Sequence, residues 1–168
     1  MQINYLKKLQ ENPVDYLDDG SSNRGLNIQQ IQELEILWNN GNPFPIVLKE
    51  YLFLAGEFCW AFNMKSPLTL RNIAVYQMNT ALPPFTMPAR PYIIIGVNTD
   101  SGSEDFTFIF LDETAADPML YELNLFEEDQ MEINDLQRIQ PKDITLSDMI
   151  NAYIEGFRER QATGEFPL

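Results

Sequence analysis

The chain contains no histidine at any of its 168 positions. That removes Ser-His-Asp and Cys-His nucleophilic machinery, together with the commonest neutral-pH acid/base and metal ligand. Catalysis would have to draw on carboxylates, lysine, tyrosine or the lone cysteine, Cys59. Room remains for a two-carboxylate glycosidase or an acid-lined magnesium site and for little else. A single cysteine also excludes an intramolecular disulfide and a cysteine-based zinc cage, as expected of a reducing interior. No apolar run approaches the roughly 18 residues needed to span a bilayer. The opening stretch, Met1 to Pro13, is polar and broken by charge, unlike a secretory signal. The expectation is a soluble, cytoplasmic protein.

Positive charge is missing where it would matter most. Between Pro91 and Gln137 there is no Lys or Arg, yet twelve of the 25 acids lie there. They are Asp100, Glu104, Asp105, Asp112, Glu113, Asp117, Glu122, Glu127, Glu128, Asp129, Glu132 and Asp135. The rest of the chain holds 13 acids against 11 bases, so −12 of the net −14 belongs to this one segment. Such a field repels nucleic acid and anionic lipid and draws in cationic partners. Acidity of this kind can also serve solubility alone. Apolar residues interleave with the acids, so the segment reads as folded sheet and not as a solvated tail.

What is present argues for a packed α+β domain. Apolar residues make up 45% of the chain and aromatics 12%, and a chain of this length buries about 70% of its unfolded surface. Ile3, Leu6 and Leu9 give a short helical period that stops at Asn12-Pro13, and a turn-rich stretch follows at Asp18 to Asn23. Asn27 and Gln30 have capping-box spacing ahead of an apolar face of Ile28, Ile31, Leu34 and Trp38, with Asn39-Asn40-Gly41 as the stop. A second helix is expected from about Pro45 to Gly56, carrying Val47, Leu48, Tyr51, Leu52 and Ala55. Phe58 to Phe62 reads as a short strand or core plug, and Ser66-Pro67 opens another helix toward Pro83-Pro84. Strands are expected at 92–97, 106–111 and 119–123, with a weaker one near 131–133. Thr145 and Asp148 cap a last helix whose core stripe runs through Leu146, Met149, Ile150, Tyr153, Ile154 and Phe157. Helices, then hairpin-linked strands, then a helix make a mainly antiparallel α+β fold, with an N-terminal helical pair and a C-terminal helix packed on the sheet.

Several of these residues, taken together, resemble the SUKH superfamily. The likeness begins with Ile31-Gln32-Glu33-Leu34-Glu35, Phe44-Pro45, Leu48-Lys49-Glu50-Tyr51-Leu52 and Ala55-Gly56. It continues through Ile94-Ile95-Gly96, Asp105, Asp112, the Asp117-Pro118 to Tyr121 turn and strand, and the helix from Leu146. It covers roughly residues 26 to 160 and rests on loose hydrophobic patterns. Ala55-Gly56 stands where the family has a double glycine, residues 1–25 lie outside the likeness, and 66–91 is richer in proline and helix signals. The division so implied is an N-terminal helix and linker over 1–25 and a SUKH-like domain over 26–168.

The resemblance implies a non-enzymatic protein-binding domain, in bacteria mostly an immunity protein that neutralises a toxin, with no cofactor and no metal. Nucleases among such toxins must be basic to hold phosphates. The residues expected to meet a cationic partner are Asp100, Glu104, Asp105, Asp112, Glu113, Glu127, Glu128 and Asp129, with Trp60 as an aromatic anchor. Asp100, Glu104 and Asp105 around Gly102 lack the ligand spacing of a calcium loop and read as a hairpin turn. Cys59, between Phe58 and Trp60, reads as a buried thiol. Glu35 and Glu57 are the pair to weigh for carboxylate catalysis. A regulatory or scaffold module of the same fold is the rival expectation.

Overall fold

The computed structural model describes residues 1–13, 22–59, 90–98, 105–124 and 139–163. Among these described residues, four helices and four strands follow in the order α1 (Lys7–Glu11), α2 (Ile28–Asn39), α3 (Ile46–Ala55), β1 (Tyr92–Asn98), β2 (Asp105–Phe110), β3 (Met119–Asn124), β4 (Ile139–Thr145) and α4 (Leu146–Thr163). The strands form one antiparallel sheet in the order β1-β2-β3-β4. The expected α+β architecture is what the chain adopts. The expectations for 60–62, for a helix from Ser66 and for a strand near 131–133 fall outside the described residues.

Both faces of the sheet are apolar, which explains why β1 and β2 read as nearly continuous hydrophobic runs. Side chains alternate across a strand. Ile93, Ile95, Ile109, Leu111 and Leu120 pack with the helices in the larger core. Ile94, Phe106, Phe108, Phe110 and Leu123 form a second buried cluster, joined by Tyr92, Tyr121 and Ile139. The register assigns these sets to opposite faces, since Ile93 pairs with Ile109 and Ile94 with Phe108. The step between Ile94 and Gly96 is irregular and leaves Ile95 as the extra residue.

Local capping follows the sequence closely. The Asn27 side chain accepts from Gln30 N at 3.0 Å and Gln30 Oε1 accepts from Asn27 N at 2.9 Å, a complete capping box. Asn40 (φ 54°) and Gly41 (φ 81°) turn left-handed after α2. At α4, Thr145 and Asp148 cap reciprocally, with Asp148 N donating to Thr145 Oγ1 at 3.3 Å and Thr145 N donating to Asp148 Oδ2 at 3.2 Å. Two apolar assignments differ. Ile28 is 47% exposed and Tyr153 49% exposed, so each sits at the edge of its stripe, outside the core.

β4 was not anticipated. Its sequence, Ile139 to Thr145, contains Pro141 and a positive-φ Asp143, both of which argue against a strand. As an edge strand it can carry them, because one side of its backbone needs no ladder partner.

The N-terminal segment is built into the core. Ile3, Leu6 and Leu9 are buried in the cluster that includes α3 and α4. Its anchor is Glu50, which is fully buried and accepts the backbone N–H groups of Asn4 (2.7 Å), Tyr5 (2.9 Å) and Leu6 (3.0 Å). Those donors precede the first turn of α1, so α1 begins at Lys7, later than the apolar period suggests. One carboxylate therefore satisfies three N–H groups that would otherwise be orphaned at a helix start. Gly25 allows the next segment to cross α3, for a Cβ there would lie 1.6 Å from the Phe53 carbonyl oxygen. Replacing Glu50 by Gln keeps the shape but sets an amide N–H₂ against backbone donors. The expected loss is about 2–3 kcal/mol in urea unfolding, with faster amide exchange at residues 4–6. Unchanged exchange there would show that Glu50 does not anchor the segment.

Candidate functional site

Asp112 and Glu113 follow the end of β2, and the antiparallel register sets them opposite the residues that precede β1. Tyr92 pairs with Phe110, and Leu111 N donates to Pro91 O at 2.9 Å. Arg90 consequently meets Asp112. Its Nη2 donates to Asp112 Oδ1 at 2.7 Å and its Nε to Oδ2 at 3.0 Å, a two-pronged grip on one carboxylate. The guanidinium also lies 3.9 Å from the centre of the Phe110 ring. Phe110 packs edge-on against Tyr121 with ring centres 4.8 Å apart. Tyr121 in turn donates its hydroxyl to Glu113 Oε1 at 2.8 Å, and Arg90 Nη2 is 3.7 Å from the same oxygen.

The electrostatics follow from these contacts. The hydrogen bond from Arg90 holds the Asp112 carboxyl below its ordinary range, and the same bond raises the guanidinium's affinity for its proton. Burial, followed by the bond to Glu113, raises the Tyr121 hydroxyl. Arg90 thus cancels one of the two carboxylate charges, leaving the trio at −1.

Beside this trio lies an open cleft of about 560 Å³ between the α2–α3 link and the β2–β3 connection. Asn39 ties its two walls together. Its Nδ2 donates to Asn42 O (3.1 Å), Pro43 O (3.2 Å) and Leu111 O (3.2 Å), and Val47 N donates to Ala116 O at 3.0 Å. Asn39 is 1% exposed, yet its Oδ1 accepts no hydrogen bond.

The remaining acids with described side chains in the 91–137 segment are also engaged. Asp117 accepts from Ser147 N at 3.0 Å and Ser147 Oγ at 2.6 Å, fixing the start of α4. Glu122 pairs with Lys142 at 2.6 Å across β3 and β4. Asp105 pairs through its backbone with Asn98 and Asn124. Asp100, Glu104, Glu127, Glu128, Asp129 and Trp60 lie outside the described residues.

The sheet separates the strand ends that bound two of the acid-rich stretches from Asp112 and Glu113. Asn98, Asp105, Asn124 and Ile139, which bound the stretches 99–104 and 125–138, stand at one end of the sheet. Asp112, Glu113 and Arg90 stand at the other, about 20 Å away for a six-residue strand. Arg90, Tyr121 and Asn39 were not singled out from sequence as site residues. The only available signal was that Arg90 is the last cation before the base-free run.

Glu35 and Glu57 each have a partner of their own. Glu35 Oε1 accepts Phe44 N at 2.8 Å and sits 3.7 Å from Lys49, while Glu57 is 3.9 Å from Arg24. Cys59 is fully buried beside Tyr51, whose hydroxyl is raised by burial and then by the thiol. Among the described residues no group of three His, Cys, Asp or Glu side chains is placed to hold a metal ion, and no helix is long and apolar enough to cross a membrane. In comparisons with protein-family models, curated proteins and solved structures, the chain matches none.

Because its folded value is depressed, Asp112 contributes stability above its unfolded value of about 3.9 and loses that contribution as pH falls through the folded value. Arg90→Gln is expected to move the Asp112 midpoint upward toward the ordinary carboxylate range, read by carboxyl-carbon NMR. The stability difference between the two proteins should close as Asp112 becomes protonated in both. An unmoved midpoint would mean that the pair seen here does not persist in solution.

Proposed function

We propose that this chain is a non-enzymatic, immunity-type protein that binds and neutralises a cognate cationic protein toxin through an acidic surface. The observation that carries this reading is the placement of −12 of the net −14 charge in residues 91–137. A nuclease is the toxin class whose phosphate-binding surface best complements such a field. The internal engagement of Asp112, Glu113, Asp117 and Glu122 moves the weight of the reading onto the other eight acids of the segment. Those eight fall in or beside the two stretches bounded by strand ends at one end of the sheet. Two acid-rich connections leaving from one end support a concentrated negative surface that steers a basic partner and sets its on-rate. The SUKH resemblance points the same way, to a domain whose work is protein binding.

The test is capture from the source organism's lysate at low and then high salt, followed by an assay of whether the chain blocks the captured protein's activity. A basic partner that is loosened by salt and inhibited by the chain is the expected result. A neutral partner indifferent to salt would favour the scaffold module, with the acids serving solubility. With the partner in hand, replacing Glu127, Glu128 and Asp129 together by Lys is expected to slow association about tenfold or more and to flatten its salt dependence, read by stopped-flow mixing. Unchanged kinetics would exclude that stretch as the steering surface.

A further inference from the structure

We propose that Asn40 is a modification site, deamidating spontaneously through Gly41 at a rate set by how often the turn that ends α2 opens. Its isoaspartate product undoes one wall of the cleft. Asn40-Gly41 is the one Asn-Gly pair in the sequence. Glycine, having no Cβ, hinders attack by its own backbone nitrogen less than any other residue. Asn40 is exposed, and the pair holds the two central positions of a turn from Asn39 to Asn42, with φ 54° at Asn40 and 81° at Gly41. Asn42 N donates to Asn39 O at 2.9 Å, and Asn42 Nδ2 donates to the same oxygen at 3.0 Å. Two left-handed central residues make this a type I′ turn, for which Asn-Gly is a preferred pair.

The folded turn guards the bond. Deamidation begins when Gly41 N gives its proton to solvent base and attacks Asn40 Cγ, forming a C–N bond; the C–NH₂ bond then breaks and ammonia leaves. In the turn the Gly41 N–H donates to Glu35 O at 3.0 Å, which shields its proton from that base. The backbone angle is unsuitable as well. At ψ 32° Gly41 N stands nearly opposite Asn40 Cβ across the Cα–C bond, whereas ring closure needs the two nearly eclipsed. The reaction therefore proceeds from the opened turn. Water then opens the cyclic imide on either side. Cleavage at Cγ gives aspartate, which tolerates left-handed geometry as asparagine does and keeps the turn. Cleavage at the backbone carbonyl gives isoaspartate, with an extra methylene in the main chain. That insertion parts Asn42 N from Asn39 O and takes Asn42 O and Pro43 O away from Asn39 Nδ2, the bonds that hold this wall of the cleft. Either product adds one negative charge, so copies whose α2 has opened at this end are marked.

The experiment ages the full chain at mildly alkaline pH, once folded and once in guanidinium chloride. Peptide mass spectrometry locates each deamidated asparagine, and methyl transfer by an isoaspartyl methyltransferase counts the isoaspartate. In denaturant Asn40 is expected to react ahead of every other asparagine. In the folded chain its rate should fall about tenfold or more. Asn42→Ala, which removes one of the two bonds closing the turn, should raise the folded rate about fivefold and leave the denatured rate alone. The Asn39 side-chain amide, followed by NMR, separates the two products. Its resonances should stay in place in Asn40→Asp and be lost from the isoaspartate-bearing fraction of the aged chain, and the remainder of each spectrum reports whether the protein is folded. Another asparagine reacting first in denaturant would overturn the site. Equal rates in the folded and denatured chain, or an Asn42→Ala variant no faster than the unaltered chain, would overturn the guarding role of the turn. An Asn39 amide undisturbed by isoaspartate would overturn the effect on the cleft.

Discussion

The arrangement of this molecule depends on a sheet whose two faces are both apolar. Ile93 and Ile109 point into one cluster and Ile94 and Phe108 into the other, so neither face of β1 or β2 can hold a carboxylate without burying it. An unpaired charge in such a place costs several kcal/mol or forces a change of protonation. The acids that interrupt these strands in sequence are therefore displaced to strand ends and connections. That displacement sets Asp105 at one end of β2 and Asp112 and Glu113 just past the other.

The elements around the sheet are pinned by a few polar side chains, each satisfying several backbone groups. Glu50 holds three N–H groups of the N-terminal segment, Asn39 holds three carbonyls across the cleft, and Asp117 holds two donors at the start of α4. In each case a buried or half-buried polar group joins parts distant in sequence: 46 residues for Glu50 to Asn4 and 72 for Asn39 to Leu111. The same logic makes Asn39 a point of tension, because its nitrogen is fully used and its oxygen is not.

Legibility followed the range of the interaction. The capping boxes at Asn27/Gln30 and Thr145/Asp148 were readable because donor and acceptor lie three residues apart. The strands at Tyr92 and Asp105 were readable because burial on both faces leaves an unmistakable apolar run. β4 was not, since an edge strand tolerates the proline that argues against it. Glu50 could not be told from Lys49, its exposed-looking neighbour in the helix, because only the returning N-terminal segment makes one of them buried. Of the candidate site, Asp112 and Glu113 were visible as acids, while Arg90 as their partner was not, being 22 residues away.

Charge counted along a chain overstates charge in space for an up-and-down sheet. Antiparallel neighbours bring the residue before one strand against the residue after the next, so cations that flank an acidic run are folded back onto it. Arg90 reaches Asp112 in this way, and Lys142 on β4 reaches Glu122 on β3.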